Sequence, residues 1–507
     1  MVDEYKAVNE AMNEETQAHP LEPSTDQMRV MVDKAAERVI DHIASLPRQP
    51  ASYDPHDADA RARTAALAES LPERGTDLDG LLDLLFREAI PPSFNTAGPG
   101  YLAYIPGGGI FPSALADFIA NAVNRYVGVW IAAPGLAQLE LNVVRWFCEI
   151  IGYPPEAGGI LTTGGSLANF TAVVTARKER LPDDFLAGTI YTSDQTHHSI
   201  RKAAVLAGFT EGNVREIATD EDYRIRLDDL RRRIAEDRED GLRPFMLVTS
   251  AGTTNTGAID DLGGAADVAE DEGLWLHVDA AYGGFFMLTE RGRESMRGIE
   301  RADSVALDPH KGLFLPYGNG SLLVREPETL RRAHTIFADY MPEMQQDTDL
   351  VDFCQLSPEL SRDFRGLRAW LPIKLFGIDA FRSSLDEKLD LARWATDQLR
   401  EVPDMEILAE PKLSLTAFRW APAGYSEDGL NDLNRALLKS VNARQNVYIT
   451  GTMLRGQYAL RICVLSFRTH LERMQRCMVD IRECIEELTT SIEEPVAGDV
   501  READQHT

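Results

Sequence analysis

The chain has 507 residues, 44% apolar and 26% charged, the balance of a soluble globular protein long enough to bury a large core. Asp and Glu number 81 against 52 Lys and Arg, a formal net charge of −29, which argues against a general binder of the nucleic-acid backbone but leaves room for a local phosphate pocket. Five Cys without a C-x-x-C pair exclude a disulfide framework and a Cys-based zinc site, and the start MVDEYKAVNEAMNEE holds no apolar signal segment, so a reducing, cytoplasmic location is expected.

In chain order, residues 28–46 and 78–90 carry apolar residues at three- and four-residue spacing, which predicts a helical N-terminal segment over 1–95. Residues 89–116 are uncharged and long enough to span a bilayer. Pro91, Pro92, Pro99, Pro106, Pro112 and five Gly break any spanning helix, so no membrane contact is expected and the stretch reads as loops over a buried site. From Gly158 the pattern changes. Short apolar runs at 159–161, 189–191, 245–249, 274–278, 304–307 and 321–324 alternate with helical stretches at 167–180, 199–207, 227–236 and 262–270. That alternation predicts a large α/β domain over 96–385 with a mainly parallel sheet, whose strand ends are the place for a ligand. Helical periodicity returns at 367–378 and 385–399. Strands near 413–419 and 460–464 and a helix at 471–488 then predict a small α+β domain over 386–490. Residues 491–507 are polar and aperiodic and read as a disordered tail.

Three strand ends carry polar groups. Thr162-Thr163-Gly164-Gly165-Ser166-Leu167-Ala168-Asn169 joins a strand to a helix, where free N–H groups favour an anion. Asp279 ends the run Trp275-Leu276-His277-Val278. Lys311, one of only nine lysines, follows Asp308-Pro309-His310 at a third strand end. A lysine in a partly dry site is expected to have a lowered pKa and to attack carbonyls. Singly, each has an ordinary reading: a Ser cap, an Asp cap, a surface Lys. Together they supply an anion cradle, a carboxylate and an imine-forming amine, which is the equipment for pyridoxal 5′-phosphate. His197-His198 has no further partner at ligand spacing, so no metal is expected.

These segments resemble the group II pyridoxal-phosphate-dependent decarboxylases, the family of the aromatic L-amino acid decarboxylases. The resemblance runs from about Gly98 to Arg468 and rests on Pro309-His310-Lys311, His277 to Tyr282, Ser193 to His197, and Gly252-Thr253-Thr254. It implies a fold-type I, aspartate-aminotransferase-like architecture and a homodimer with interlocked N-terminal helices. It implies that Lys311 carries the cofactor, Asp279 pairs with the pyridine nitrogen and His197 stacks on the ring. Thr254 would lie near the ring hydroxyl, Gly165 and Ser166 would hold the phosphate, and Asp308 and His310 would flank the attachment lysine. Tyr340 matches the tyrosine of a mobile loop that protonates Cα, and Tyr101, Tyr104 and Pro106 match a substrate wall. Departures are Leu167 where Glu is frequent and Gly107 where Thr is frequent. The activity implied is decarboxylation of an L-amino acid, aromatic by resemblance, to the amine and CO₂. The alternatives are a decarboxylation-dependent aldehyde synthase, which Tyr340 speaks against, and a decarboxylase of an acidic amino acid.

Overall fold

The computed structural model describes residues 21–54, 57–336 and 350–493. The periodic N-terminal segment folds into α1 (Thr25–Ser45), begun by a Ser24–Gln27 capping box, and a shorter helix Leu78–Asp83 that continues as a π-helical turn over Leu84–Ala89. The Pro- and Gly-rich stretch is irregular only as far as Ile110. Phe111 opens α2 (Phe111–Val123), with Pro112 in the first turn, where the missing N–H costs nothing, so the expected loop is shorter than 89–116. Next comes α3 (Pro134–Ile151).

The apolar runs become β1 (Gly158–Thr162), β2 (Gly188–Ser193), β4 (Arg243–Ser250), β5 (Trp275–Asp279), β6 (Ser304–Leu307) and β7 (Gly320–Val324). A further strand, β3 (Val214–Ile217), lies at the sheet edge. Only Ile217 of its four residues is buried, so no apolar run announces it. The order is β1-β7-β6-β5-β4-β2-β3. Strand β7 runs antiparallel to β1 and β6, and the other pairs are parallel.

Period-two alternation sends successive side chains to opposite faces. Ile160, Met246, Val248, Trp275, Ala306 and Leu322 meet α4 (Gly165–Arg180) and α5 (Ser199–Leu206). Leu161, Leu247, Leu276, Val278, Val305 and Leu323 meet α3, α6 (Leu227–Glu239) and α7 (Leu262–Glu272). Both faces are covered, which is why the strands read as continuous apolar runs.

Beyond α8 (Gly366–Phe376), α9 (Ile378–Arg400) runs unbroken through the 385/386 position where the two domains were expected to divide. Its Phe381, Leu385 and Leu389 belong to the core of the large sheet, and its Leu391, Ala392, Ala395 and Leu399 to the next core. That second core backs an antiparallel sheet, β10-β11-β9-β8, formed by β8 (Met405–Ala409), β9 (Leu415–Trp420), β10 (Thr450–Leu454) and β11 (Gln457–Cys463). Helices α10 (Glu427–Ala443) and α11 (Leu471–Glu493) pack against it. The N-terminal connection is stitched to this unit: Leu102 N–H donates to the Tyr448 carbonyl and Tyr448 N–H to that of Gly100. Helix α11 runs to Glu493, past the expected start of the tail at 491, and the rest of that tail and Tyr340 lie outside the described residues.

Candidate active site

The carboxyl ends of β1, β2, β4, β5 and β6 open into one cavity of about 300 Å³. Eight of the residues singled out in the sequence line it: Gly165, Ser166, His197, Thr254, Asp279, Asp308, His310 and Lys311. Topology explains the convergence. Parallel strands point their carboxyl ends the same way, so residues more than a hundred positions apart share one rim.

The β1 end runs through Thr163 and Gly164 into α4, whose first turn presents free N–H groups to the cavity. A Cβ on Gly165 would stand 3.1 Å from the Ala281 Cβ and 3.2 Å from Asp308 Oδ2, so glycine keeps this cradle open. Asp279 ends β5. Its Oδ2 accepts from Asn169 Nδ2 at 2.9 Å and its Oδ1 from the Ala281 N–H at 3.2 Å. His197 Nδ1 accepts from the Ser199 backbone N–H at 3.3 Å and lies 2.8 Å from the Ser199 hydroxyl, and burial holds its pKa below the ordinary histidine value.

At the β6 end, the single helical turn Pro309–Gly312 brings Lys311 back onto Asp308, with Nζ 2.9 Å from Oδ2. Burial alone would lower the lysine pKa. The Asp308 carboxylate, with Asp279 behind it, more than offsets that and holds the ammonium above the usual lysine range. The expected lowered pKa is therefore corrected, because a counter-ion three residues upstream on the same turn reverses the sign of the shift. His310 donates Nδ1–H to the Asn319 carbonyl at 2.6 Å, and burial lowers its pKa. Asp308 Oδ1 is buried with no hydrogen-bond partner among the described residues.

Tyr101, Tyr104 and Pro106 do not line this cavity. Tyr101 is buried against Phe94 and Tyr448, and Tyr104 is half-exposed. Their loop nevertheless abuts the rim. Arg461 bonds the carbonyls of both Tyr104 and Thr254, and a Cβ on Gly107 would stand 2.7 Å from the His310 carbonyl oxygen. Threonine at position 107 would not fit this backbone, which accounts for glycine there.

Sequence reasoning missed Asn169, Ser199 and His277. Asn169 and Ser199 line the cavity, and His277 sits behind it, fully buried. The available signals were an Asn inside a helix, where its intrinsic preference is poor, and the same-face spacing of Trp275, His277 and Asp279 on a strand. Among the described residues no group of three or more His, Cys, Asp or Glu could hold a metal ion.

The residues fit pyridoxal phosphate. The glycine cradle at a helix start suits a phosphate, the amine suits an aldehyde, and a buried carboxylate held only by donors suits a ring N–H. The model of the pyridoxal-dependent decarboxylase conserved domain matches residues 62–421. An aromatic-L-amino-acid decarboxylase of Bacillus atrophaeus is 36% identical over 473 residues, covering 93% of this chain and 98% of the relative. Among solved structures, the Oryza sativa protein TDC, with PLP and tryptamine, superposes with a TM-score of 0.87 at 25% identity, over 93% of this chain and 99% of that one. The Catharanthus roseus tryptophan decarboxylase in complex with L-tryptophan gives 0.85 at 28% identity, over 92% and 99%.

Proposed function

The chain belongs to the pyridoxal-dependent decarboxylase family, and from that membership we propose that this cavity removes the α-carboxylate of an aromatic L-amino acid as CO₂ and leaves the amine. The observation that carries the reading is the meeting of Lys311, Asp279 and His197 with the Gly165–Ser166 helix start in one cavity. The aromatic side chain is inferred from the relatives.

Pyridoxal phosphate, bound at Lys311, supplies the sink for the electron pair left on Cα when CO₂ departs. The residues divide the remaining work. Gly165 and Ser166 hold the phosphate with N–H groups at the start of α4. Asp279, kept an acceptor by Asn169 and the Ala281 N–H, would hold a proton at the pyridine nitrogen. His197 would pack against the cofactor ring and Thr254 would lie near its hydroxyl, both lining the cavity. Asp308, 2.9 Å from Nζ, holds Lys311 in place as the ammonium, which must lose its proton before it can act as a nucleophile. His310, anchored by Asn319, closes the lysine side. The loop of Tyr101, Tyr104 and Pro106 stays outside the cavity and is held at its rim by the Arg461 bridge to Thr254, so any contribution to the substrate wall would come from the rim.

We infer that Tyr340 donates the proton to Cα after CO₂ leaves. In Tyr340→Phe, oxygen would then compete for the unprotonated carbon, and substrate, O₂ and water would yield aldehyde, CO₂, ammonia and hydrogen peroxide. The measured ratio of amine to aldehyde per CO₂, under air, should fall at least tenfold; an unchanged ratio removes Tyr340 from this role.

The cytoplasm is the proposed location and a homodimer the proposed assembly. Exposed apolar residues on α1 (Met28, Val30, Met31, Val32, Ile40) and on α2 (Phe111, Leu115, Phe118, Ile119, Val123) support an interface there. Among the described residues no helix is long and apolar enough to cross a membrane. The deciding experiment is an amine-product assay of the holoenzyme across the common L-amino acids. Tryptophan, tyrosine, phenylalanine or 3,4-dihydroxyphenylalanine should be turned over best; preference for an acidic amino acid would overturn the aromatic assignment.

A further inference from the structure

Behind Asp279 lies an unbroken series of side-chain hydrogen bonds that the reaction above does not use. Trp275, His277 and Asp279 share one face of β5, the face covered by α4. Trp275 Nε1 donates to Ser304 Oγ at 2.8 Å, and Ser304 Oγ lies 2.8 Å from His277 Nδ1. His277 Nε2 lies 2.9 Å from Asn169 Oδ1, and Asn169 Nδ2 donates to both Asp279 Oδ2 and Ser199 Oγ at 2.9 Å. Ser199 Oγ then reaches His197 Nδ1 at 2.8 Å. Trp275, Ser304, His277, Asn169 and Ser199 are all buried.

The two ends fix the direction. An indole nitrogen can only donate, and an ionised carboxylate can only accept. Ser304 Oγ keeps a second lone pair beyond the one it offers Trp275, so the Asp279 end decides: Asn169 gives its N–H there, its Oδ1 takes the His277 Nε2–H, and Nδ1 of the neutral ring then accepts the Ser304 hydroxyl proton. The His277 proton therefore sits on Nε2 and goes to Asn169 Oδ1, and both Asn169 amide protons point onward. A flipped Asn169 would set its carbonyl oxygen against the Asp279 carboxylate. Along the branch, the Ser199 hydroxyl and backbone N–H both give to His197 Nδ1, leaving the His197 proton on Nε2. Burial pushes the His277 pKa down to about 4, in keeping with a neutral ring that carries one proton.

We propose that Trp275, Ser304, His277 and Asn169 are positioning residues that polarise this relay in one direction, holding the Asp279 carboxylate as an oriented acceptor and presenting the Nε2–H edge of His197 to the cavity. The inference rests on the reading that Asp279 faces the pyridine nitrogen. A donor fixed at Oδ2 keeps that oxygen an acceptor and sets the plane of the carboxylate, so a ring N–H would meet a partner already in place. The far end of the relay is a tryptophan in the core, which ties the charge state of the site to packing of the sheet.

Two measurements test it. Nitrogen NMR of histidine-labelled protein, freed of cofactor, should show His277 and His197 neutral with the proton on Nε2; a proton on Nδ1 of His277 overturns the direction. Titration with pyridoxal phosphate, followed by absorbance, should show Ser304→Ala binding about tenfold more weakly, the common cost of losing such a supporting partner. Its absorption band should move toward that of the cofactor with a bare ring nitrogen, and Ser304→Thr, which keeps the hydroxyl, should restore both. If Ser304→Ala binds normally while Asp279→Asn binds weakly, the relay fails and the site reading stands. If Asp279→Asn also binds normally, the site reading itself fails. Should Ser304→Ala not fold, the tautomers in the unaltered protein still decide.

Discussion

Two carboxylates face the same cavity from neighbouring strands, and they are held in opposite ways. Asp279, at the end of β5, is surrounded by neutral donors whose own partners are all satisfied. Asp308, just past β6, is paired with the Lys311 ammonium through Oδ2 and leaves Oδ1 buried without a partner. The first arrangement holds a carboxylate among fixed neutral donors, and the second sets one beside an ammonium that must exchange its proton. A residue that must keep a cofactor atom protonated through every turnover suits the first. A residue beside an amine that alternates between ammonium and nucleophile suits the second.

The largest effect should come from removing the mobile member of the exchanging pair. Lys311→Ala is expected to abolish multiple-turnover CO₂ release, and normal release would dissolve the contrast at its root. Next comes the fixed charge. Asp279→Asn removes the acceptor while leaving Asn169 in place, and losing one partner of a desolvated pair costs ~3–5 kcal/mol, or roughly 10²- to 10⁴-fold in rate. Steady-state kinetics with the preferred substrate measures this; a loss under about threefold would mean that Asp279 does no more than Asp308.

A smaller effect, of different sign, is expected at the exchanging carboxylate. Asp308 raises the Lys311 pKa, so less of the neutral amine is present at a given pH. In Asp308→Asn the amine should titrate lower, and cofactor capture near neutral pH should become several-fold faster. In the unaltered protein capture should accelerate as pH rises, and in the variant that rise should begin at lower pH. Stopped-flow absorbance over a pH series reads both. Equal profiles would contradict the pairing.

The gentlest probe is acid. The buried His277 has a pKa of about 4, against 6.5 for an ordinary histidine. Between those values the unfolded chain binds a proton that the folded one refuses. The stability from a neutral His277 is therefore complete above pH 6.5 and is lost as pH falls toward 4, on the order of 3 kcal/mol. Thermal unfolding of the unaltered protein should steepen its decline over that window, and His277→Gln should flatten it. No difference between the two would mean that His277 is not held neutral behind Asp279.

How far the sequence could be read depended on whether a feature was local. The strands of the large sheet were legible because each is buried on both faces and so appears as a continuous apolar run. Val214–Ile217 was not, because an edge strand needs only one buried side chain. Strand ends with Gly165, Asp279 and Lys311 were legible because a polar residue after an apolar run is visible without knowing the fold. The partners of Asp279 were hidden: Asn169 lies 110 positions away and His277 looks like any strand residue until the helix bearing Asn169 is laid over it. The sign of the Lys311 shift was misread for a related reason. Asp308 was in view three residues upstream, but only the single turn Pro309–Gly312 folds it back onto Nζ. The chain's one continuous helix through residues 378–400 shows the same limit, since its periodicity continues while the core it serves changes.

The central claim is that Lys311, among nine lysines, is where the cofactor is attached in the cavity at the strand ends. Hydride reduction of the yellow holoenzyme, followed by proteolysis and mass spectrometry, tests it most directly. The reduced cofactor's mass should be found on the peptide containing His310 and Lys311 and on no other, and the label should be absent from Lys311→Ala. Recovery of the label on any other lysine, or a stoichiometric holoenzyme that yields no labelled peptide at all, would contradict it.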